Sequence, residues 1–278
     1  MKHLLIIFLI TLISCSKKVE ESNKYIFTSN HPLKLIVQEL VSEKSLVQSL
    51  IPPNVSEHTF EPKVSDVNKL ENASVFIYVS KEIDGWVTKD LQNCVEALYL
   101  LPKEQVLLFS NGSVDPHFWT SPRTVVKIID TLAKLLSLKF PLQKETILKN
   151  AEIFKAKLEK LDKKLDSSLS IIKEKPIFLF HPSFLYLIRD YGLKYGGSIE
   201  EIPGGEPTPS HISAIINKIK DAKIRSIFSE PQLNPHSAEI IAKETNTKLY
   251  QIDPLGVNAK TYEEFVLLNV QQIIEALK

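Results

Sequence analysis

The sequence predicts an α/β protein of two domains, each a sandwich of helices around a mostly parallel sheet, joined by one long rigid helix. Strand-like and helix-like segments alternate along most of the chain, which is the pattern of βαβ units with parallel sheets covered on both faces. The length of 278 residues exceeds the roughly 250 residues over which a single core grows, so two domains are expected. One long helical segment interrupts the alternation and supplies the connector.

Short runs rich in β-branched and aromatic residues predict the strands, and apolar residues three to four positions apart predict the helices. Ser121-Pro122 and Thr208-Pro209 mark two helix starts, because a hydroxyl caps the first turn and proline fits the first helical position. The predicted strands are Tyr25–Thr28, Val75–Val79, Val106–Phe109, Ile177–Phe180, Ile224–Phe228 and Leu249–Ile252. The predicted helices are Leu33–Leu50, Val64–Glu71, Pro122–Leu138, Ser210–Ala222 and Ser237–Thr245.

The connector is predicted from Leu142 to Lys173, a segment with neither glycine nor proline that keeps an apolar residue every three to four positions. Such a pattern indicates a single amphipathic helix of about 45 Å. A helix of this length between two α/β blocks is a rigid connector rather than a hinge. We therefore expect domains at residues 24–141 and 175–278, with the linking helix at residues 142–174.

The amino terminus has the pattern of a secretory signal. A short basic start precedes the apolar run Leu4–Ile13, which is too short to span a bilayer, since a span needs about 20 residues. The run leads into Leu-Ile-Ser-Cys at positions 12–15, which resembles the bacterial lipobox that precedes a lipidated cysteine. We expect a signal peptide at residues 1–14, a tether at residues 15–23, and a chain held outside the cytoplasm on the cell membrane by lipid on Cys15. The alternative is an ordinary signal peptide in which Cys15 is incidental.

Composition excludes several classes of function. The chain has 34 Lys and Arg against 33 Asp and Glu, a net charge of +1, so we expect no nucleic-acid partner. Glycine is scarce, at 8 residues, and neither GxxxxGK[ST] nor GxGxxG occurs, so we expect no nucleotide site. Besides Cys15 the chain has only Cys94, which we expect to be a small core residue without a disulfide partner.

Three of the seven histidines lie where ligands bind in open α/β sheets, beyond strand ends and beside turns. His58 and His117 each precede a predicted helix, and His181 directly follows a predicted strand. Glu230 and Asp253 also follow predicted strands. Three imidazoles and a carboxylate from both halves would form a tetrahedral site for a divalent transition metal. Surface or capping roles are expected for the other histidines of the mature chain, His31, His211 and His236.

Local motifs around these residues resemble those of one family. EHTFEP at residues 57–62 resembles its His-x-aromatic-Glu-Pro signature, and DPHFW at residues 115–119 resembles its Asp-Pro-His-x-Trp signature. Its C-terminal blocks are matched in order by GEPTP at 205–209, EPQ at 230–232 and DPLG at 253–256. With the lipobox, the resemblance covers nearly the whole chain. The family is the metal-binding lipoproteins of bacterial zinc and manganese uptake ABC transporters.

This resemblance implies two α/β domains joined by a long helix, with the metal held in the cleft between them. It implies that His58 and His117 are the ligands from the first domain and that His181 and Asp253 are those from the second. Zinc-type members tend to have His at the third ligand position and manganese-type members Glu, so His181 favours Zn²⁺, with Mn²⁺ as the alternative. Imidazole also suits zinc better than the harder manganese ion.

Two acidic residues near the motifs, Glu61 and Glu230, are expected to orient ligands or cap backbone rather than to bind the metal. For Glu61, an acid in the first turn of a helix, stabilised by the helix dipole, is an equal alternative. The chain departs from many zinc-type members, which have a long loop rich in His and acidic residues before the second ligand. Here residues 109–115 are only FSNGSVD, as in manganese-type members, which also lack that loop.

Two classes of function are consistent with these residues. The first is a carrier, not an enzyme, that captures zinc or manganese and delivers it to an ABC permease with a cytoplasmic ATPase; we expect it to be a monomer. The rival is an extracytoplasmic zinc hydrolase with a metal-bound water and Asp253 as general base. Neither HExxH nor HxHxD occurs in the sequence, so the carrier is favoured. A surface adhesin is compatible with the carrier.

Overall fold

The computed structural model describes residues 25–85, 91, 93–200 and 207–278 and confirms an α/β fold with two parallel sheets. The described strands are β1 (Ile26–Thr28), β2 (Val47–Ser49), β3 (Val75–Tyr78), β4 (Cys94–Glu96), β5 (Pro176–Leu179), β6 (Lys194–Ser198), β7 (Ser226–Ser229) and β8 (Lys248–Gln251). The described helices are α1 (His31–Gln38), α2 (Val64–Glu71), α3 (Lys81–Asp84), α4 (Pro122–Lys139), α5 (Lys144–Leu169), α6 (Leu185–Asp190), α7 (Pro209–Asp221), α8 (His236–Thr245) and α9 (Tyr262–Leu277).

The two sheets have the same topology. The first has the strand order β2-β1-β3-β4 and the second β6-β5-β7-β8, and all strand pairs in both are parallel. The central strands β3 and β7 are buried along their whole length, as expected for parallel strands covered by helices on both faces. Because the strands of each sheet are parallel, their carboxyl ends lie at one edge, and loops that follow them meet there.

The long helix α5 confirms the predicted connector. Its apolar residues form one buried line that packs against α4 on one side and α9 on the other. Phe154 makes an edge-to-face contact with Tyr262 of α9, with ring centroids 6.0 Å apart. Helix α5 therefore contacts elements that follow the first sheet and elements that follow the second. The buried line consists of Ile147, Ala151, Phe154, Leu158, Leu161, Leu165 and Leu169.

The predicted helix Leu33–Leu50 is wrong beyond its first two turns. Helix α1 ends at Gln38, and the chain then turns and forms β2, in which Val47 pairs with Ile26 of β1. The apolar residues from Leu33 to Leu50 keep a helix-like spacing across the turn, so periodicity does not detect the break. Pairing with β1 is a contact between residues about twenty positions apart, and it decides the conformation of this segment.

The predicted strand Val106–Phe109 and the predicted Ser121 cap are also wrong. Leu108 forms only an isolated bridge with Val114 in a short hairpin, and the backbone N–H of Leu107 donates to the hydroxyl of Tyr186 instead of to a sheet. Ser121 lies at the N-cap position, but its hydroxyl donates to Asp190 Oδ2 at 2.5 Å. The other cap is confirmed, because the Thr208 hydroxyl accepts from the backbone N–H of His211.

Some sequence predictions lie outside the described residues. These are the signal peptide at 1–14, the whole tether at 15–23 with Cys15, and the Gly205-Glu206 part of one motif. Cys94 is described, and it is a half-buried free thiol in β4. Across the described ranges, none of the helices has the length and apolar character needed to cross a membrane.

Candidate metal centre

Three histidine side chains converge between the two sheets. His58 lies in the loop between β2 and α2, His117 lies just before α4, and His181 directly follows β5. One ring nitrogen from each can be chosen so that all three lie within 4.8 Å of one another. The Nε2 atoms of His58 and His117 are 3.0 Å apart. The ring centroid of His181 lies 5.0 Å from that of His58 and 4.7 Å from that of His117. The structure thus brings together the three imidazoles that the sequence singles out.

A carboxylate orients the His117 ring. Oδ1 of Asp115 accepts from both the backbone N–H of His117, at 2.9 Å, and its Nδ1, at 2.7 Å. The intervening proline confines the chain between the two residues, and both side chains are fully buried. Because the Nδ1 proton is held by Asp115, the lone pair of Nε2 faces the other two histidines.

A second carboxylate orients the His181 ring. Nδ1 of His181 lies 3.3 Å from both oxygens of Glu230, which follows β7, the strand beside β5. The Ser183 hydroxyl donates to Glu230 Oε1 at 2.6 Å and fixes its position. Nε2 of His181 is buried, and it has no hydrogen-bond partner among the described residues. This free nitrogen is the atom that faces the other imidazoles.

Burial and charge set the protonation of the three rings. Burial holds the pKa of His58 and His117 well below 6.5, and the neighbouring imidazoles lower it further. Burial also lowers the pKa of His181, but the acidic groups around it, Glu230 first and then Glu57 and Asp115, together raise it, so the net shift is upward. His58 and His117 are therefore neutral at pH 7, which is the form of imidazole that binds a metal ion.

Glu57 is a buried acid beside the histidines that sequence reasoning missed. Its Oε1 lies 3.9 Å from His117 Nε2 and has no hydrogen-bond partner within the described part of the chain. Burial raises the pKa of Glu57 to about 8. A buried carboxylate without a hydrogen-bond donor is costly unless a cation is bound. Its position directly before His58 is the one feature of the sequence that could have pointed to a carboxylate near the metal centre.

The Asp253 carboxylate makes its hydrogen bonds to groups other than the three histidines. Its Oδ1 accepts from the backbone N–H groups of Leu255 and Gly256 and from Gln232 Nε2, and its Oδ2 accepts from Val257 N at 2.6 Å. Among the described residues, neither Asp253 nor Glu57 is part of the group of converging ligand atoms. The same Gln232 amide donates to the carbonyl of Pro53, which ties the Asp253 loop to the loop that carries His58.

The remaining predicted residues lie away from the three rings. Glu61 is exposed and precedes α2, which begins at Val64; the acid in that first turn is Asp66, whose Oδ2 accepts from the backbone of Lys63. On the side of the first sheet, Asp115 orients a histidine ring, which was the role expected for Glu61. The other histidines lie at helix starts, where His31 and His211 contact the backbone carbonyls of Ala259 and Ile199 and His236 is exposed.

Known proteins resemble this chain over most of its length. The zinc-binding lipoprotein AdcA of Streptococcus pneumoniae strain R6 is 28% identical over 263 residues, which cover 88% of this chain and 52% of AdcA. The high-affinity zinc uptake system protein ZnuA of Haemophilus ducreyi is 26% identical, with 86% of this chain and 87% of that protein covered. This chain thus spans about half the length of the AdcA relative.

Solved structures show the same fold. A crystal structure of ZnuA superposes with a TM-score of 0.81 at 26% identity and covers 91% of this chain and 98% of that one. The model of the family described as "ZnuA: Zinc-uptake complex component A periplasmic" matches residues 26–276. The match spans both sheets, the long helix and all three histidines. The chain belongs to this family of periplasmic zinc-uptake components.

Proposed function

We propose that this protein is a carrier that captures zinc outside the cytoplasm and delivers it to an ABC permease with a cytoplasmic ATPase. The observation that carries the proposal is the convergence of His58, His117 and His181, with two of the rings turned inward by carboxylates. The names of the relatives support it, since AdcA is called a zinc-binding lipoprotein and ZnuA a zinc uptake protein.

Zinc would be held by the Nε2 atoms of the three histidines and one carboxylate oxygen, a tetrahedral set that zinc prefers. We favour Glu57 as the fourth ligand, because its buried Oε1 lies 3.9 Å from His117 Nε2 and lacks a donor among the described residues. Asp253 is the ligand that the sequence motif predicts, and its carboxylate already accepts hydrogen bonds from four donors.

Carrier function fits this centre better than hydrolysis. His117 and His181 are at most 2% exposed, so a bulky substrate has little access to a metal held there. Four protein ligands would leave no position for an activated water, which a catalytic zinc site requires. Three imidazoles also favour zinc over manganese, which prefers oxygen ligands.

The lipobox-like motif at residues 12–15 supports a place of action outside the cytoplasm, at the cell membrane. Lipid on Cys15 would anchor the chain to the cell membrane, with the domains at residues 24–141 and 175–278 outside the cytoplasm and the linking helix at residues 142–174 between them. A monomer is expected, because each chain supplies the complete ligand set. Delivery would then require the permease to loosen the contacts between the two sides of the centre.

A competition titration tests the proposal. The metal-free protein is mixed with zinc and manganese, and bound metal is read by mass spectrometry. One tightly bound zinc per chain is expected, and it is lost in His181→Ala but kept in His236→Ala, which removes an exposed histidine outside the centre. Preference for manganese would contradict the zinc assignment, and the absence of binding at one equivalent would contradict the carrier.

A further inference from the structure

The end of α4, the connection that follows it and the start of α5 expose two leucines beside two lysines. Leu138 is 78% exposed and Leu142 fully exposed, and Lys139 and Lys144 between and after them are exposed as well. We call these four residues the leucine turn. Single exposed apolar residues are common on protein surfaces. Here two leucines lie four residues apart beside two cationic side chains. The location of these residues in the fold indicates what they could contact.

The leucine turn lies at the amino-terminal edge of the first sheet. Lys139 Nζ donates to Oδ1 of Asn93, the residue before β4, at 2.7 Å. The backbone of Asn93 accepts from Phe76 of β3, and that of Tyr25, directly before β1, accepts from Ser74 at 2.9 Å. The turn and the start of the described chain are thus at the same edge, opposite the carboxyl ends where the metal centre lies.

The segment that joins Cys15 to Tyr25 is short. Nine residues, 16–24, separate Cys15 from Tyr25, and fully extended they span roughly 30 Å. If Cys15 carries lipid, as proposed above, this edge of the sheet cannot move farther than that from the bilayer. Tethering converts docking of the edge into an intramolecular event at an effective concentration of about a millimolar, so a small surface suffices.

We propose that the leucine turn docks into the headgroup region of an anionic phospholipid bilayer. Leu138 and Leu142 would enter the boundary with the acyl chains, and Lys139 and Lys144 would meet lipid phosphates, which is how amphipathic surfaces lie on membranes. Glu145 is the acidic residue next to this pair of lysines, and its carboxylate would point to water. This proposal rests on the lipid anchor of the proposed function.

Docking in this way would orient the molecule. The amino-terminal edge of the first sheet would face the bilayer, and the carboxyl ends of its strands, with His58 and His117, would face away from it. The centre would then be open to the surrounding solution while the protein waits for metal. Delivery to the permease would require the turn to leave the lipid surface.

Fluorescence quenching tests the proposal on the full lipidated chain, in vesicles of phosphatidylethanolamine and phosphatidylglycerol with brominated acyl chains. A tryptophan is placed in the turn by Leu142→Trp and, as a matched control, two residues beyond the carboxyl end of α5 by Ile171→Trp, where the native side chain is 58% exposed. We expect the bromine to quench Leu142→Trp at least about threefold more strongly than Ile171→Trp. Adding Leu138→Glu to Leu142→Trp should remove the difference.

Each other outcome overturns the proposal in a distinguishable way. Equal quenching at the two positions, with Cys15 acylated by intact mass, would exclude docking through the turn and leave the anchor. An unacylated Cys15 in a protein that still binds zinc would overturn the anchor and this proposal together, but not the metal function. A shift of Leu142→Trp emission that follows protein concentration without vesicles would assign the turn to a second copy of the chain.

Discussion

The Nδ1 atoms of His117 and His181 each lie beside a buried carboxylate. Asp115 lies 2.7 Å from one Nδ1 and Glu230 3.3 Å from the other. Each carboxylate fixes which ring nitrogen carries the proton and aims the other nitrogen at its neighbours. Affinity for the metal therefore depends on residues that do not touch it.

Replacing Glu230 by glutamine should lower zinc affinity by about 10- to 100-fold, the usual cost of losing such an orienting carboxylate. The amide lacks the charge that stabilises the His181 ring when zinc withdraws electrons from it. Affinity is measured by competition with a chelator of known strength. Glu239→Gln, an exposed position in α8, is the control; equal affinities for the two variants would exclude an orienting role for Glu230.

Asp84 makes a pH-dependent contribution to stability. Burial raises its pKa to about 7, and its Oδ2 accepts from the backbone N–H of Val79 at 2.7 Å. Between pH 4 and pH 7 the folded protein holds this proton and the unfolded chain releases it, so the free energy of unfolding falls as pH rises through that window. Above pH 7 both states are ionised and the contribution is constant.

Wild type should therefore lose stability relative to Asp84→Asn between pH 5 and pH 8, by an amount on the order of 2–4 kcal/mol. Asparagine keeps the hydrogen bond to Val79 but has no proton to lose. Urea unfolding of both metal-free proteins at the two pH values measures the difference. Parallel pH profiles would show that Asp84 is not protonated in the folded state.

Sequence motifs were sufficient to predict the three imidazoles, because His58, His117 and His181 each lie at a strand end or in a recognisable block. Glu57 required the structure, since its role depends on burial that adjacent residues do not reveal. For Asp253 the motif predicts a ligand, whereas the structure shows a carboxylate bound by its own loop. The direction of the Asp253 side chain depends on backbone N–H groups of its own loop, and the motif does not show where those groups point.

At the level of elements, α5 depends on its buried apolar line. Leu158→Ala should lower the free energy of unfolding by about 2–5 kcal/mol, because a 2% exposed leucine leaves a cavity between α5 and its neighbours. Ile153→Ala on the same helix is the control, since Ile153 is 46% exposed and its truncation should cost little. Chemical denaturation compares the two, and similar losses would contradict the predicted burial of this line.

The elements that sequence patterns predicted well are those decided by local signals. Helix α5 has a long uninterrupted apolar period, and α2 begins and ends at the predicted residues. The elements that were wrong or absent from the prediction depend on distant partners. Strand β2 exists because Val47 pairs with β1, and residues 106–109 do not form a strand because their backbone bonds go to a hairpin and to Tyr186.

At the level of the whole molecule, Tyr186 joins the two sides of the centre. Its buried hydroxyl donates to the carbonyl of Asp115 and accepts from the N–H of Leu107, both at 3.0 Å. Tyr186 belongs to α6, which follows His181, whereas Asp115 orients His117. This side chain therefore fixes the position of one ligand relative to another across the centre.

Tyr186→Phe should lower both stability and zinc affinity. It removes the hydrogen bonds to the buried carbonyl of Asp115 and the partly buried N–H of Leu107, at a cost of about 1–3 kcal/mol. The loop that carries Asp115 would also lose its contact with α6, so zinc affinity should fall in the same variant. Tyr99→Phe, at a 79% exposed position, is the control for both measurements. Reduced stability with unchanged zinc affinity would limit Tyr186 to a structural role.

A crystal structure of the zinc-loaded protein would show the ligands of the metal. We predict one zinc ion bound by Nε2 of His58, His117 and His181 at about 2.0–2.1 Å, with a carboxylate of Glu57 completing a tetrahedron. Zinc bound by the three histidines and Asp253 would keep the carrier but contradict the choice of the fourth ligand. Zinc bound elsewhere, or by fewer than three of these histidines, would show that the three histidines do not form the zinc site.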